Sequence, residues 1–340
     1  MAGQSPPAGA AASSAGPPYQ KPASFKVTRK PYFGKIERLD PRLDELLARD
    51  AKLEKLAQGF DWCEGPVWMK RGQYLLFSDV PQNVVYRWIE GEGITEFLKP
   101  SGYTGSIPRG GEPGSNGLTV DSERRLVLCE HGDRRVARLE EDKTKTTLAD
   151  RYQGKRFNSP NDLVYHSNGD LYFTDPPYGL EGKNDDPKKE LPFNGVYRLK
   201  KNGQVTLLTD ELTFPNGIAF SPDEKILYVA VSDPARAIWM AYDVKSDGTI
   251  ENGRVFFDST RRVKKKMKGL PDGMKVDAKG NLWATGPGGV LIFSPDGKHL
   301  GTINTGEATA NCNWGPDGIL YITADMYLCR IKTKTRGAKF

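Results

Sequence analysis

The chain has 340 residues, a formal net charge of +6, 37% hydrophobic residues and four cysteines. No stretch approaches the apolar length of a membrane span, and the basic residues neither spread over a face nor interleave with stacking aromatics as nucleic-acid binding requires. Cys63, Cys129, Cys312 and Cys329 show no CxxC spacing and no disulfide-scaffold density, which excludes a thiol-based metal knuckle or a disulfide-stapled fold.

Residues 1–24 are rich in Ala, Pro, Ser and Gly, and lack the basic start and continuous apolar stretch of an intact secretory signal. They read as disordered, and the chain as soluble: cytoplasmic, or exported with its leader removed. Residues 25–51 form an extension in which DPRLDELLARD predicts a short helix, with Asp40 as N-cap and Pro41 at the first helical position.

From residue 52 to 335 the sequence repeats. A polar–Gly/Asp–apolar step opens at Glu64 (EGPVW), Asn116 (NGLTV), Asn161 (NDLVY), Asn216 (NGIAF) and Asp272 (DGMKV), with a degenerate copy near Ala310 (ANCNW). Each step leads into a tight turn and a second apolar strand. Third strands follow at 84–88, 135–139, 195–199, 238–242, 289–293 and 327–331. Fourth strands follow in all copies but the last, which runs out of chain. KLEKLA at 52–57 has the missing fourth-strand pattern. The expectation is an all-β fold, a six-bladed propeller of four-stranded blades closed by an N-terminal strand that completes the last blade. Cys129 and Cys312 fall on its strands as buried thiols. The basic run RRVKKKMK at 261–268 reads as a solvated loop, and the end of the chain, 336–340, as a frayed tail.

The turns between first and second strands are short. The irregular segments 102–114 and 179–195 lie at the opposite end of the blades, where binding loops collect. The first residue of each inner strand opens at that same end, around the central channel. Glu64, Asn116, Asn161, Asn216 and Asp272 therefore converge, joined by second-strand ends Asp79, Glu130, His131, Asp175 and Asp233; Ala310 leaves a gap. Asn and Asp at strand entries are also ordinary turn formers, but Glu64 is not. Two carboxylates with amide oxygens make a hard-oxygen site suited to one divalent cation. Calcium fits first, with magnesium, manganese or zinc as alternatives. Asn116 reads as a ligand or as a contact to substrate or to a metal-bound water. His131 is structural or orients substrate, Arg156 is placed to hold an anionic or polyol substrate, and Asp79 and Asp175 either support the ring or satisfy backbone groups.

These segments resemble the senescence-marker-protein/gluconolactonase/luciferin-regenerating family. The carriers are GFDWCEGPVW (59–68), NSPNDLVYHSNGDLYFTDPPYG (158–179), FPNGIAFSPDEKILYVA (214–230) and LPDGMKVDAKGNLWAT (270–285), with CEHGDRR and TDPPYG closest to the bacterial and fungal gluconolactonases. The resemblance implies a channel cation held by Glu64, Asn216 and Asp272, with Asn161 binding metal or substrate and Asp272 as catalytic base. It implies a small-molecule sugar lactone as substrate; the chain is expected to be a monomer or homodimer. Ser159 stands where the animal branch has Arg, so Arg156 is the substitute expected to bind substrate beside Asn116, His131 and Asn161. Another lactone or an organophosphate on the same site, or a calcium-binding propeller without catalysis, are the alternative readings.

Overall fold

In the computed structural model, which describes residues 25–27 and 31–339, six antiparallel sheets radiate from a channel. Their inner strands are Cys63–Met69, Ser115–Val120, Leu163–Tyr165, Pro215–Phe220, Met274–Val276 and Thr309–Trp314. Each runs outward through antiparallel neighbours, as the repeat predicts. The last blade is closed by Leu53–Gln58, which pairs with Tyr327–Lys332 in a register that sets Gln58 opposite Tyr327 and Glu54 opposite Arg330. The expectation of disorder over 1–24 lies outside the described residues.

The repeat did not reveal two further strands. Lys35–Arg38 adds a fifth strand to blade five, and Tyr32–Phe33 adds one to blade six. They cover outer edges that would otherwise present unpaired backbone groups. The helix expected after Asp40 is a 3₁₀ turn, Pro41–Glu45, in which the Asp40 carboxylate accepts from the Arg42 amide. The basic run is not wholly loop: Thr260–Lys264 is one turn of α-helix, and the Arg262 guanidinium donates to the Pro287 carbonyl. Nor is the tail frayed through Lys339. Gly337 bridges to Asp277, the Ala338 amide donates to Val276, and Lys339 reaches Glu224.

The core lies between blades. Tyr172 and Val196 of blade three pack on Ile218 and Val229 of blade four, and Trp283 of blade five meets Trp314 of blade six edge-on at 5.3 Å. Burying a large apolar side chain contributes about 1.5–3 kcal/mol, so each blade is held chiefly by its neighbours. All four cysteines are buried free thiols. Among the described residues, no helix is long and apolar enough to cross a membrane.

The polar–Gly step has a structural cause. The inner strand's register slips beside it, between Glu64 and Val67, Ser115 and Leu118, and Pro215 and Ile218. Such bulges re-aim side chains, here into the channel. The residue after the ring position then passes very close to the next blade. The Gly117 amide donates to the Asn161 carbonyl at 2.7 Å, and a Cβ there would stand 2.5 Å from that oxygen. At Gly217 a Cβ would stand 2.2 Å from the Asp272 carbonyl oxygen. Second-strand hydroxyls complete the belt: Ser78 donates to the Asn116 carbonyl and Thr285 to that of Ala310.

Candidate active site

The belt brings five polar side chains to one end of the channel. Glu64 is 2% exposed; Oε2 accepts from the Gly65 amide at 3.1 Å and from Asn311 Nδ2 at 3.3 Å, and Oε1 from Trp62 Nε1 at 3.4 Å. Burial first, and the nearby Asp162 carboxylate second, push its carboxyl up to about 8. Asp272 keeps part of its surface open toward the channel, yet desolvation, then the charges of Glu64, Asp162 and Glu112, hold it well above the usual carboxylate range.

The amides face the same space. Asn216 spends Nδ2 on Ser232 Oγ at 3.0 Å, which leaves its buried Oδ1 without a partner. Asn116 Oδ1 is likewise buried and unpartnered, and Asn161 turns Nδ2 toward His131 Nε2 at 3.5 Å. Unpartnered amide oxygens stand beside two mutually repelling carboxylates. Buried acceptors left this way are costly, and a divalent cation fits the donor set. Among the described residues, no three His, Cys, Asp or Glu side chains cluster as a metal site on their own, so amide oxygens have to complete any coordination here.

The other sequence candidates separate. His131 is fully buried between Asn161 and Glu112, whose Oε2 lies 3.2 Å from Nδ1. Asp79 accepts from the amides of Asp61 and Trp62, and Asp175 from those of Asn158 at 2.8 Å and Ser159 at 2.7 Å. Both therefore fix the chain entering the ring; burial raises Asp175 to about 7. Glu130 is spent on Arg135 at 2.5 Å and Lys145 at 2.6 Å. Asp233 accepts from Thr213 and the Ala235 amide. Arg156 sits on a small outer hairpin of Arg151–Tyr152 and Lys155–Arg156, with its guanidinium on the Asp133 carbonyl at 2.7 Å.

Four residues escaped the sequence reading. Asp162 and Asn311 occupy the second position of the step, where the other blades have glycine. Asp162 is buried, with Oδ2 unpartnered. That departure from glycine was a usable signal. Tyr178, in TDPPYG, stacks on Phe214, and burial followed by the Asp272 charge raises its phenol, so it stays a proton donor near neutral pH. Glu112 reaches the ring from the 102–114 segment, a position that only the loop's path determines. That segment is anchored by Asn83 Oδ1, which accepts from the amides of Gly102 and Tyr103. It is tied to the second long loop by the Gly110 amide on Glu181 at 3.0 Å and by Arg109 on the Gly179 carbonyl.

The family profile described as the SMP-30/gluconolactonase/LRE-like region matches residues 62–325. The chain belongs to that family. It is 42% identical over 313 residues to a gluconolactonase of Zymomonas mobilis, covering 90% of this chain and 88% of the relative. A solved gluconolactonase from Xanthomonas campestris is 33% identical, with a TM-score of 0.77, covering 92% of this chain and 98% of that one. A diisopropyl-fluorophosphatase of Loligo vulgaris is 26% identical, covering 72% of this chain and 78% of the relative.

Proposed function

We propose that this family member is a metal-dependent hydrolase that opens a sugar lactone such as glucono-1,5-lactone. The observation that carries the reading is the mutually repelling carboxyls of Glu64 and Asp272 beside the unpartnered Oδ1 atoms of Asn116 and Asn216. Glu64, Asn161, Asn216 and Asp272 would hold one divalent cation. Calcium suits an all-oxygen set, with magnesium, manganese or zinc as substitutes. When bound, the cation supplies Lewis-acid polarisation of the lactone carbonyl.

The protein's own groups do the rest. Asp272 takes a proton from the attacking water as its oxygen bonds to the carbonyl carbon, then returns a proton to the ring oxygen as the ester C–O bond breaks. Asn116 and His131 orient the lactone, and Tyr178 offers its phenol to a substrate oxygen. Asp272→Asn keeps the volume and removes the base. With the cation supplied, kcat/KM for glucono-1,5-lactone, measured by acid release above the spontaneous rate, should fall by about 10²–10⁴. Full cation-dependent activity in that variant would rule out Asp272 as the base. The Loligo relative gives a second reading, phosphotriester hydrolysis on the same ring. A panel of sugar lactones, aliphatic lactones and phosphotriesters separates the two.

A further inference from the structure

Glu112 is held at the mouth by its own chain. The next two residues are stitched to both flanking blades: Gly132 donates to the Pro113 carbonyl at 3.1 Å, Gly114 donates to Val80 at 2.9 Å, and His131 donates to the Gly114 carbonyl at 3.1 Å. The carboxylate is about one-third exposed, and its Oε2 lies 3.2 Å from Nδ1 of the buried His131 imidazole. Through His131 it stands one residue away from Asn161.

The neighbouring cations do not balance it. Arg109 is turned to the carbonyls of Gly132 and Gly179, Arg156 to that of Asp133, and Lys145 and Arg135 to Glu130. The charge of Glu112 is felt at Glu64, Asp272 and Tyr178, and that of Asp162 at Glu64 and Asp272. Glu64 and Asp272 alone would offset one dication, so the cation would leave the carboxylate of Glu112 uncompensated.

We infer that Glu112 is the specificity-determining residue of this site, accepting hydrogen bonds from the hydroxyls of an uncharged polyhydroxy lactone and barring lactones that carry an anionic substituent. The inference rests on the lactonase reading above. The same field helps expel the carboxylate product, which is anionic where the substrate is neutral.

The test compares kcat/KM for glucono-1,5-lactone with that for its 6-phosphate ester, in wild type, Glu112→Gln and Glu112→Asp, with calcium present. Wild type and Glu112→Asp should favour the neutral lactone. Glu112→Gln should narrow that preference by about tenfold, the order expected for removing one unit charge at partly screened range. Wild type alone gives a second arm: raising the salt concentration should narrow the preference, since partly exposed charges are screened. Turnover with a ratio that neither Glu112→Gln nor salt alters overturns the inference and leaves the lactonase reading standing. No turnover of any lactone by any variant overturns the reading, and the inference with it.

Discussion

Replacing Glu64 with Gln should make the metal-free protein more stable at pH 8, although it removes a proposed metal ligand. Glu64 is buried beside two other acids, and its carboxyl is raised from 4.5 to about 8. A carboxyl raised in the folded state favours the protonated fold. Its contribution is therefore fully present below the unfolded value and is lost as pH rises through about 8. Each pH unit of displacement corresponds to ~1.4 kcal/mol, so ionising Glu64 costs the metal-free fold up to ~5 kcal/mol; sharing of that charge with Asp272 lowers the share removed by a single substitution. Gln keeps the shape and an acceptor for the Gly65 amide, and carries no charge to bury. Thermal unfolding of chelator-treated protein between pH 5 and 8 should show wild type losing stability with pH while Glu64→Gln stays flatter and ends higher at pH 8. Added calcium should raise the midpoint of wild type and have little effect on the variant. A wild-type profile flat from pH 5 to 8 without metal, or a variant less stable than wild type at pH 8, would refute the reasoning.

Other perturbations test the frame around the ring. Gly217→Ala puts a Cβ 2.2 Å from the Asp272 carbonyl oxygen, backbone against backbone, and should cost ~3 kcal/mol in a denaturant melt. Gly110→Ala, whose Cβ would meet nothing within 4 Å, should leave stability nearly unchanged. Asp175→Asn leaves one of the Asn158 and Ser159 amides without its acceptor and should cost ~1–3 kcal/mol at pH 5. The cost should shrink by pH 8, because burial raises Asp175 to about 7 and wild type itself loses stability as pH rises through that value.

The repeat made the blades legible because its period is carried by strands that cannot bury a face alone. Its first position made Glu64, Asn116, Asn161, Asn216 and Asp272 legible, because each opens an inner strand, with a backbone bulge beside Glu64, Asn116 and Asn216. Asp162 and Asn311 were hidden by reading only that first position; the second is glycine in four blades, and its two exceptions are buried polar residues, of which Asn311 donates to Glu64. Glu112 and Tyr178 depend on how irregular segments fold back, which strand periodicity does not encode. Asp79 and Asp175 look in sequence like ring members, and only their amide partners reveal them as braces. The two outer strands near residues 32–38 were missed because they lie outside the repeat; Lys35–Arg38 pairs with residues 301–304, while Tyr32–Phe33 pairs with the closing strand at 53–54.

The contact between Asn311 Nδ2 and Glu64 spans 247 positions of sequence, and the strand that closes blade six comes from residues 53–58. The oldest part of a chain emerging from the ribosome must therefore wait for nearly the youngest. Until blade six is synthesised, Glu64 lacks one of its three donors, and the circle has an open side. Chemistry in this molecule is timed by topology: the nascent chain can assemble five-sixths of the scaffold and still have no working centre.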